Sequence, residues 1–371
     1  SQSVTAFVAI SQYLPCGEKA GNRTGGEIVR AKEKVRNCSI DIFRYVCAIM
    51  VVGAHTQPLS EFSYEAGYIF SNIVPRIAVP FFFTAAGYFY VQKLERGQKP
   101  FFPYIKRLLI PYFIWSIIYD IVDFIAREQP DMKHFLAGCV YRFVITGTYE
   151  HFWFFPALLF AVCCTTLLFK IGGRKLLIPI GIFLYGIGCL GCSYYKLAVK
   201  IPGLGGLFLM PQFDLVRRVL LMGLPFFLCG YLVYKIESLA AGKRLYFPAV
   251  IIAGIWLAEI YIVRAFQWEN NIILTFGLYP LVVVTILILL KNPLPAYKDF
   301  SGKCAVLADF TYYSHPLYME ALSLAVFRVL HKEITATPKF LLTVALTAAT
   351  GFLVYIFNEH GGWKWKKKKN A

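Results

Sequence analysis

The first long apolar segment of the sequence carries two ionisable residues that could do chemistry inside a membrane, Arg44 and His55. Their spacing of eleven residues turns an α-helix by three turns and about 20°, so both side chains point the same way, about 16 Å apart in height. A planar guanidinium suits phosphate or carboxylate groups, and an imidazole can act as a general base near neutral pH. Two simpler interpretations stay open: Arg44 anchors the helix at the interface beside Asp41, or His55 is satisfied by a neighbouring helix.

Polar side chains recur in the other apolar segments. Because an ionisable group inside a membrane is costly, each marks a candidate functional position. We predict that six residues bind substrate: Arg76, Asp120, His151, Trp153, Glu259 and His315. Arg76 can hold a carboxylate, and Glu259 or Asp120 can hold an ammonium group, which together would suit a zwitterion. The alternative is that these three charges neutralise one another, as buried charges must.

Two of these positions depend on their local sequence. His151 and Trp153 belong to the aromatic run 151–156, which is also typical of an aromatic belt at the membrane interface. His315 directly precedes Pro316, and a residue before proline disfavours the helical conformation. We therefore expect a broken helix in mid-membrane at His315, where protein or water must satisfy the freed carbonyls.

Sorted by depth, the polar residues form two groups. The group expected towards the cytoplasm is Arg44, Lys106, Arg107 and Asp309. The group expected towards the outside is His55, Arg76, Asp120, His151 and Glu259. A path with a different ligand at each end would need this arrangement, and it could serve either transport or transfer of a chemical group across the membrane.

The elements that position these residues are predicted to be membrane-spanning helices. Hydrophobic residues make up 58% of the 371 residues and charged residues only 16%, against roughly 25% in soluble domains. Ten apolar segments are each long enough to span a bilayer. They lie near 40–58, 73–92, 104–125, 151–170, 175–195, 215–235, 246–264, 271–290, 304–330 and 337–358. The fold class is therefore all-α, a polytopic membrane protein of about ten helices.

The loop charges predict the orientation of the chain. Basic residues concentrate in every second loop, near 93–107, 170–175, 235–244, 291–303 and 364–369. Cytoplasmic loops carry such an excess, so both termini are expected in the cytoplasm of a multi-pass cell-membrane protein. In a soluble chain the net charge of +17 would suggest nucleic acid, whereas here we expect the positive side chains to face anionic lipid headgroups.

Three regions follow from this pattern. Residues 1–38 are expected to be a cytoplasmic tail, 39–360 the helical membrane domain, and 361–371 a basic cytoplasmic end. A periodic apolar stretch at 135–141 predicts an interfacial helix in an outer loop. The ten cysteines show no metal-type spacing, so no metal site is predicted.

Four motifs in order carry a resemblance to the acyltransferase-3 superfamily over about 40–358. They are Arg44-x10-His55, Arg76-x3-Pro80 followed by Gly87-Tyr88, His151-x-Trp153-Phe154-x-Pro156, and His315-Pro316. The stretches 54–58 and 79–88 are more similar to the membrane domain of the serine racemases of vancomycin-resistance operons.

The superfamily resemblance implies a ten-helix bundle that takes an acyl group from acyl-coenzyme A. His55 and Arg44 would then be catalytic, and Arg44, Lys106 and Arg107 would hold the coenzyme. One departure is that Ala86 stands where the superfamily usually has serine, which puts acyl transfer in doubt.

The racemase resemblance implies instead that L-serine is recognised or delivered to a cytoplasmic racemase domain. Pyridoxal phosphate would bind only in that domain, which we expect to follow residue 371. Serine delivery is the leading expectation, acyl transfer to a hydroxyl acceptor is the alternative, and a passive membrane anchor is the third.

Overall fold

The structure, a computed structural model, describes residues 37–126, 131–294 and 298–360. Within these ranges every regular element is a helix and no strand occurs, as the composition predicts. The basic end at 361–371 and all but the last two residues of the expected tail at 1–38 lie outside the described residues.

Eleven helices of ten residues or more form the described part of the chain. They are α1 (Cys38–Thr56), α2 (Ala78–Glu95), α3 (Phe101–Ala126), α4 (Met132–Tyr141), α5 (Phe154–Lys170), α6 (Leu177–Gly191), α7 (Leu224–Ile236), α8 (Tyr246–Ala265), α9 (Leu278–Lys291), α10 (Lys298–Leu330) and α11 (Ala336–His360). Short helical turns lead into several of them: Tyr64–Tyr68, Ile69–Ile73 and Val74–Ile77 before α2, Glu150–Trp153 before α5, Gly173–Leu176 before α6, and Phe213–Val216 and Arg217–Gly223 before α7.

The ten expected segments all coincide with helices, but only eight of these helices are long and apolar enough to span a membrane. The two that fall short are α9 and α10. Helix α9 has only 14 residues, so it is about 21 Å long. Helix α10 has 33 residues, but Asp309, His315 and Glu320 interrupt its apolar sequence. Its residues 301–319 are buried or half-buried in the bundle, whereas Glu320 is exposed.

Helix α4 confirms the helix expected at 135–141. Asp131 caps its first turn by accepting a 2.9 Å hydrogen bond from the Lys133 amide. Leu136 and Val140 are exposed on its surface, as an interfacial helix requires.

The expected basic loops gather at one end of the bundle, where α1 begins. Glu95 at the end of α2 pairs with Arg174 at 3.8 Å and with Lys235 at 3.7 Å. Ser39 at the start of α1 donates to the Asn292 carbonyl just after α9. We call this the Arg44 end of the bundle and the opposite end the His55 end.

Two glycines allow α2 and α7 to touch. A Cβ atom on Gly87 would lie 2.0 Å from the Phe227 carbonyl oxygen, and one on Gly230 would lie 2.2 Å from the Tyr88 nitrogen. Neither position can carry a larger residue without moving a backbone. This contact fixes α2, whose opposite side forms a wall of the candidate site.

Helices α1 and α10 run parallel through the centre of the bundle. Asp41 accepts a hydrogen bond from Ser301, Arg44 pairs with Asp309, and the His55 ring lies beside the His315 ring. Because Arg44 and His55 both face α10, their expected position on one side of α1 is confirmed.

The expected break at His315 is wrong, because α10 continues without interruption through Pro316. Proline lacks the amide that would bond to the Tyr312 carbonyl four residues earlier. The His315 Nδ1 atom lies 3.0 Å from that carbonyl and 3.0 Å from the Thr311 carbonyl. The imidazole therefore supplies the hydrogen bond that Pro316 cannot, and the helix remains intact.

Candidate functional site

Arg44 lies between two carboxylates at one end of the bundle core. Its Nη2 atom donates to Asp309 at 2.6 Å, and its Nη1 atom lies 3.5 Å from Asp41. All three side chains are nearly buried, with exposed fractions of 11%, 6% and 0% for Arg44, Asp309 and Asp41. Arg44 is thus paired with Asp41 as the sequence suggested, and α10 adds a second carboxylate, Asp309, on the same guanidinium.

A cavity opens beside this cluster and is lined by residues of α2, α5 and α10; together with the adjoining open solvent it measures about 800 Å³. We call it the arginine cavity. Its polar end consists of Arg44, Asp41 and Asp309, and its walls include Phe82, Ala86, Phe89, Tyr104, Phe155 and Tyr312. A cavity with one charged end and aromatic walls suits a small ligand that has both a charged and an uncharged part.

Lys106 and Arg107, which the superfamily resemblance assigns to the coenzyme, do not line this cavity. Lys106 is exposed and Arg107 is half-buried on α3. Ala86, by contrast, lies in the cavity wall. The one departure from the superfamily motif on α2 is therefore at the candidate site itself.

Three histidines from three elements meet beyond the far end of this cavity. The ring of His315 on α10 lies 5.4 Å from that of His55 and 5.0 Å from that of His151, measured between centroids. No group of three or more His, Cys, Asp or Glu side chains in the described part of the chain could hold a metal ion. Imidazoles this close to one another can take part in hydrogen bonding and proton transfer.

The three imidazoles differ in their environments. His315 is fully buried and its Nδ1 atom is held by the carbonyls of its own helix. His151 is 4% exposed, and neither of its ring nitrogens forms a hydrogen bond of normal geometry with a described residue. His55 is exposed, although it belongs to a membrane-spanning helix. The belt interpretation is wrong for His151, because its ring lies inside the protein rather than at the lipid interface.

A second, smaller space of about 400 Å³ opens beside this cluster, and we call it the histidine pocket. It is lined by His55, Tyr149, Glu150, His151, Pro316, Met319, Glu320 and Lys339. The Tyr149 hydroxyl donates to the Glu320 carboxylate. Burial, together with this hydrogen bond, raises the pKa of Tyr149 well above its ordinary value, so the phenol remains a donor.

Tyr312 lies between the arginine cavity and the histidine cluster. Its ring lines the cavity and lies 5.4 Å from the His151 ring and 6.4 Å from the His315 ring. Its hydroxyl donates to the His151 carbonyl at 2.6 Å. The phenol therefore lies in the cavity wall next to the histidine rings and joins α10 to the turn before α5.

Arg76 does not pair with Asp120 or Glu259 in the structure, contrary to expectation. Arg76 bonds to the carbonyl and side chain of Asn72. Asp120 pairs with Arg142 at 2.9 Å. The mutual neutralisation considered for the three residues is therefore also wrong.

Glu259 has a structural role in the fold. It accepts hydrogen bonds from the amides of Phe276 and Gly277, both at 2.7 Å, and from the Tyr194 hydroxyl at 2.9 Å. These donors satisfy the carboxylate and fix the loop that leads into α9.

Trp153 lies beside the histidine cluster without lining either space. Its ring lies 6.1 Å from the Phe83 ring and 5.7 Å from the Arg218 guanidinium. It supports the turn Glu150–Trp153 that carries His151.

Sequence reasoning missed Tyr149, Glu150, Tyr312 and Lys339 as site residues. Glu150 and Lys339 lie at the ends of apolar segments, where charged residues are common. The sequence does single out Tyr312 in one way. It lies four residues before Pro316, so its carbonyl has no helical amide from which to accept a hydrogen bond.

These features define a helical membrane protein with two polar sites on one central helix. The chain belongs to the acyltransferase domain family, which it matches over residues 37–359. No solved structure matches the chain at a significant level.

Three curated relatives carry racemase names. An amino-acid racemase of Enterococcus faecalis is 28% identical over 297 residues, covering 76% of this chain and 41% of the relative. A serine/alanine racemase of Enterococcus gallinarum is 27% identical over 244 residues, covering 62% of this chain and 34% of the relative. Another amino-acid racemase of Enterococcus faecalis is 31% identical over 163 residues, covering 44% of this chain and 23% of the relative. The chain thus spans less than half the length of the relatives it matches.

Proposed function

We propose that this chain is the membrane part of a longer amino-acid racemase, and that it recognises L-serine and delivers it to a cytoplasmic racemase domain. In bacteria that resist vancomycin, such delivery would supply the L-serine from which D-serine is produced. The names of the three relatives and their greater length support the racemase connection. The Arg44 end, with its basic loops, is assigned to the cytoplasm in this proposal.

The observation that carries the proposal is the mixed charge of the Arg44 cluster. A zwitterion can place its carboxylate on Arg44 and its ammonium on Asp309 or Asp41 without changing the net charge of the buried site. Such charge matching is important because uncompensated charges in a low-dielectric interior are very costly. The phosphates of coenzyme A would instead bring further negative charge next to the two carboxylates that contact Arg44.

The arrangement of the two spaces supports delivery as well. Tyr312 lines the arginine cavity, and its ring lies 5.4 Å from the ring of His151, which lines the histidine pocket. Residues of α10 line both spaces. A path for a small solute needs a binding space on each side of a barrier, because it must release the solute on one side while closed to the other.

Acyl transfer is the second candidate, favoured by the aromatic walls of the arginine cavity, which could receive a short acyl chain. In that case His55 would take the proton of a hydroxyl acceptor in the histidine pocket. Among the described residues that line the cavity, Arg44 is the only cationic side chain, and this is the observation against coenzyme A as donor.

A ligand comparison on the purified protein tests the proposal. L-serine, D-serine, L-alanine and acetyl-coenzyme A are compared by thermal shift in detergent. A ligand present at 100 times its dissociation constant stabilises the folded state by about 2.7 kcal/mol. We expect a shift with L-serine that Asp309→Asn reduces and none with acetyl-coenzyme A. A shift with acetyl-coenzyme A alone would support acyl transfer instead.

A further inference from the structure

The histidine pocket contains polar groups that no protein contact uses. Neither ring nitrogen of His151 forms a hydrogen bond of normal geometry with a described residue, although the ring interacts with the Tyr313 backbone and the side chain is only 4% exposed. Buried polar groups are nearly always hydrogen-bonded, and leaving one unpaired costs free energy. Because His151 lines the pocket, a ligand there can supply the missing partner.

The mouth of the same pocket carries opposite charges. Lys339 on α11 and Glu150 in the turn before α5 both line it. No other described residue forms an ion pair or side-chain hydrogen bond with either of these two groups. The third charged residue, Glu320, is engaged by the Tyr149 hydroxyl. The pocket thus offers one available cation and one available anion.

We infer that the histidine pocket is a recognition site for an amino acid that bears a hydroxyl group. Lys339 binds the carboxylate, Glu150 binds the ammonium group, and His151 hydrogen-bonds to the side-chain hydroxyl beside His55. This inference rests on the proposed function, since it assigns the first binding site on the delivery path.

The arrangement predicts that the pocket distinguishes serine from alanine. Both amino acids offer the same carboxylate and ammonium groups to Lys339 and Glu150. Only serine offers a partner to His151, and with alanine the buried imidazole would stay unpaired. A site built to bond a hydroxyl rejects the analogue that lacks it, and one lost bond corresponds to about ten- to a hundredfold in affinity.

Equilibrium binding of radiolabelled L-serine and L-alanine to the purified protein tests the assignment. The wild-type protein should bind serine at least about tenfold more tightly than alanine. His151→Phe should lower serine affinity to that of alanine and leave alanine affinity unchanged. Lys339→Gln should weaken both amino acids by a similar factor. Lys332→Gln and His134→Phe, at exposed positions outside the pocket, should change neither.

The outcomes separate this assignment from the proposed function. A wild-type protein that binds neither amino acid overturns the proposed function and this site with it. Serine binding without a preference over alanine, or with the preference unchanged in His151→Phe, overturns the site alone. If His151→Phe does not fold, as judged by its thermal transition, His151→Gln replaces it. Unchanged binding in Lys339→Gln also overturns the site.

Discussion

The Tyr312 hydroxyl donates a 2.6 Å hydrogen bond to the main-chain carbonyl of His151 at the boundary between the arginine cavity and the histidine pocket. This bond connects α10 to the turn that carries His151, and the phenol ring lines the arginine cavity 5.4 Å from the ring of His151. Tyr312 is thus placed as the barrier of the proposed path.

Removal of this ring should join the two spaces. In Tyr312→Ala, a cysteine placed at Ala86 in the wall of the arginine cavity should react with a small impermeant thiol reagent added at the His55 end. In Tyr312→Phe, which keeps the ring and loses only the hydrogen bond, the same cysteine should stay protected. The Phe variant should lose only about 0.5–1.5 kcal/mol of stability. Equal labelling of the Ala86→Cys protein with and without Tyr312→Ala would exclude Tyr312 as the barrier.

His315 and Pro316 should be energetically coupled. His315→Ala removes the donor that satisfies the Tyr312 carbonyl, and an unsatisfied buried carbonyl costs about 1–3 kcal/mol. Adding Pro316→Ala restores a backbone amide that can donate to the same carbonyl. The double variant should therefore be more stable than His315→Ala alone, as measured by denaturant unfolding in detergent. Additive effects of the two substitutions would contradict this explanation of the continuous helix.

Replacing Arg44 and Asp309 together should destabilise the protein less than replacing Arg44 alone. Arg44→Met removes the buried cation that contacts both Asp309 and Asp41, and breaking a buried ion pair in this way costs about 3–5 kcal/mol. The double variant Arg44→Met/Asp309→Leu removes one of those carboxylates and should recover part of that stability. The comparison uses unfolding free energies of the two variants and the wild-type protein. A double variant less stable than Arg44→Met would contradict the charge balance described for the cluster.

Ala86 offers a direct test of the departure from the superfamily motif. If the missing serine at position 86 were the only obstacle to acyl transfer in this protein, Ala86→Ser would produce acetyl-coenzyme A hydrolysis. We expect no hydrolysis, because the carboxylates around Arg44 still disfavour the phosphates of the coenzyme. Leu158→Ser, on the opposite wall of the same cavity, is the matched control for added polarity. Hydrolysis that appears with Ala86→Ser and not with Leu158→Ser would favour acyl transfer.

Orientation is tested by labelling in intact cells. Phe62 and Lys133 are exposed at the His55 end, and Gln98 is exposed at the Arg44 end. Cysteines introduced at Phe62 and Lys133 should react with an impermeant reagent from outside, and one at Gln98 should react only after the cells are opened. Labelling of Gln98→Cys in intact cells would reverse the proposed orientation.

The sequence predicted those features that depend on one helix. The spacing of Arg44 and His55 placed both on one side of α1, and apolar length located all ten long segments. Features that depend on contacts between two segments were harder to predict from the sequence. Glu259 and Asp120 found partners in neighbouring loops, which no pattern within their own segments indicates.

The error at His315 has a similar origin. The preference against helix before proline is local, and the carbonyl left by Pro316 normally carries a cost. The His315 side chain offsets that cost through a bond that depends on its rotamer rather than on its backbone propensity. The barrier role of Tyr312 was likewise visible only once α10 and the turn before α5 were placed side by side.

Uptake by the purified protein in liposomes tests serine delivery most directly. With radiolabelled L-serine outside, wild-type protein should give saturable uptake. Asp309→Asn should abolish this uptake, because the variant lacks the carboxylate that binds the ammonium group of serine at the Arg44 end. The exposed pair Asp131 and His134 provides the control Asp131→Asn, which should transport normally. Absence of serine uptake by the wild-type protein, together with acetyl-coenzyme A hydrolysis that His55→Asn abolishes, would contradict delivery and establish acyl transfer.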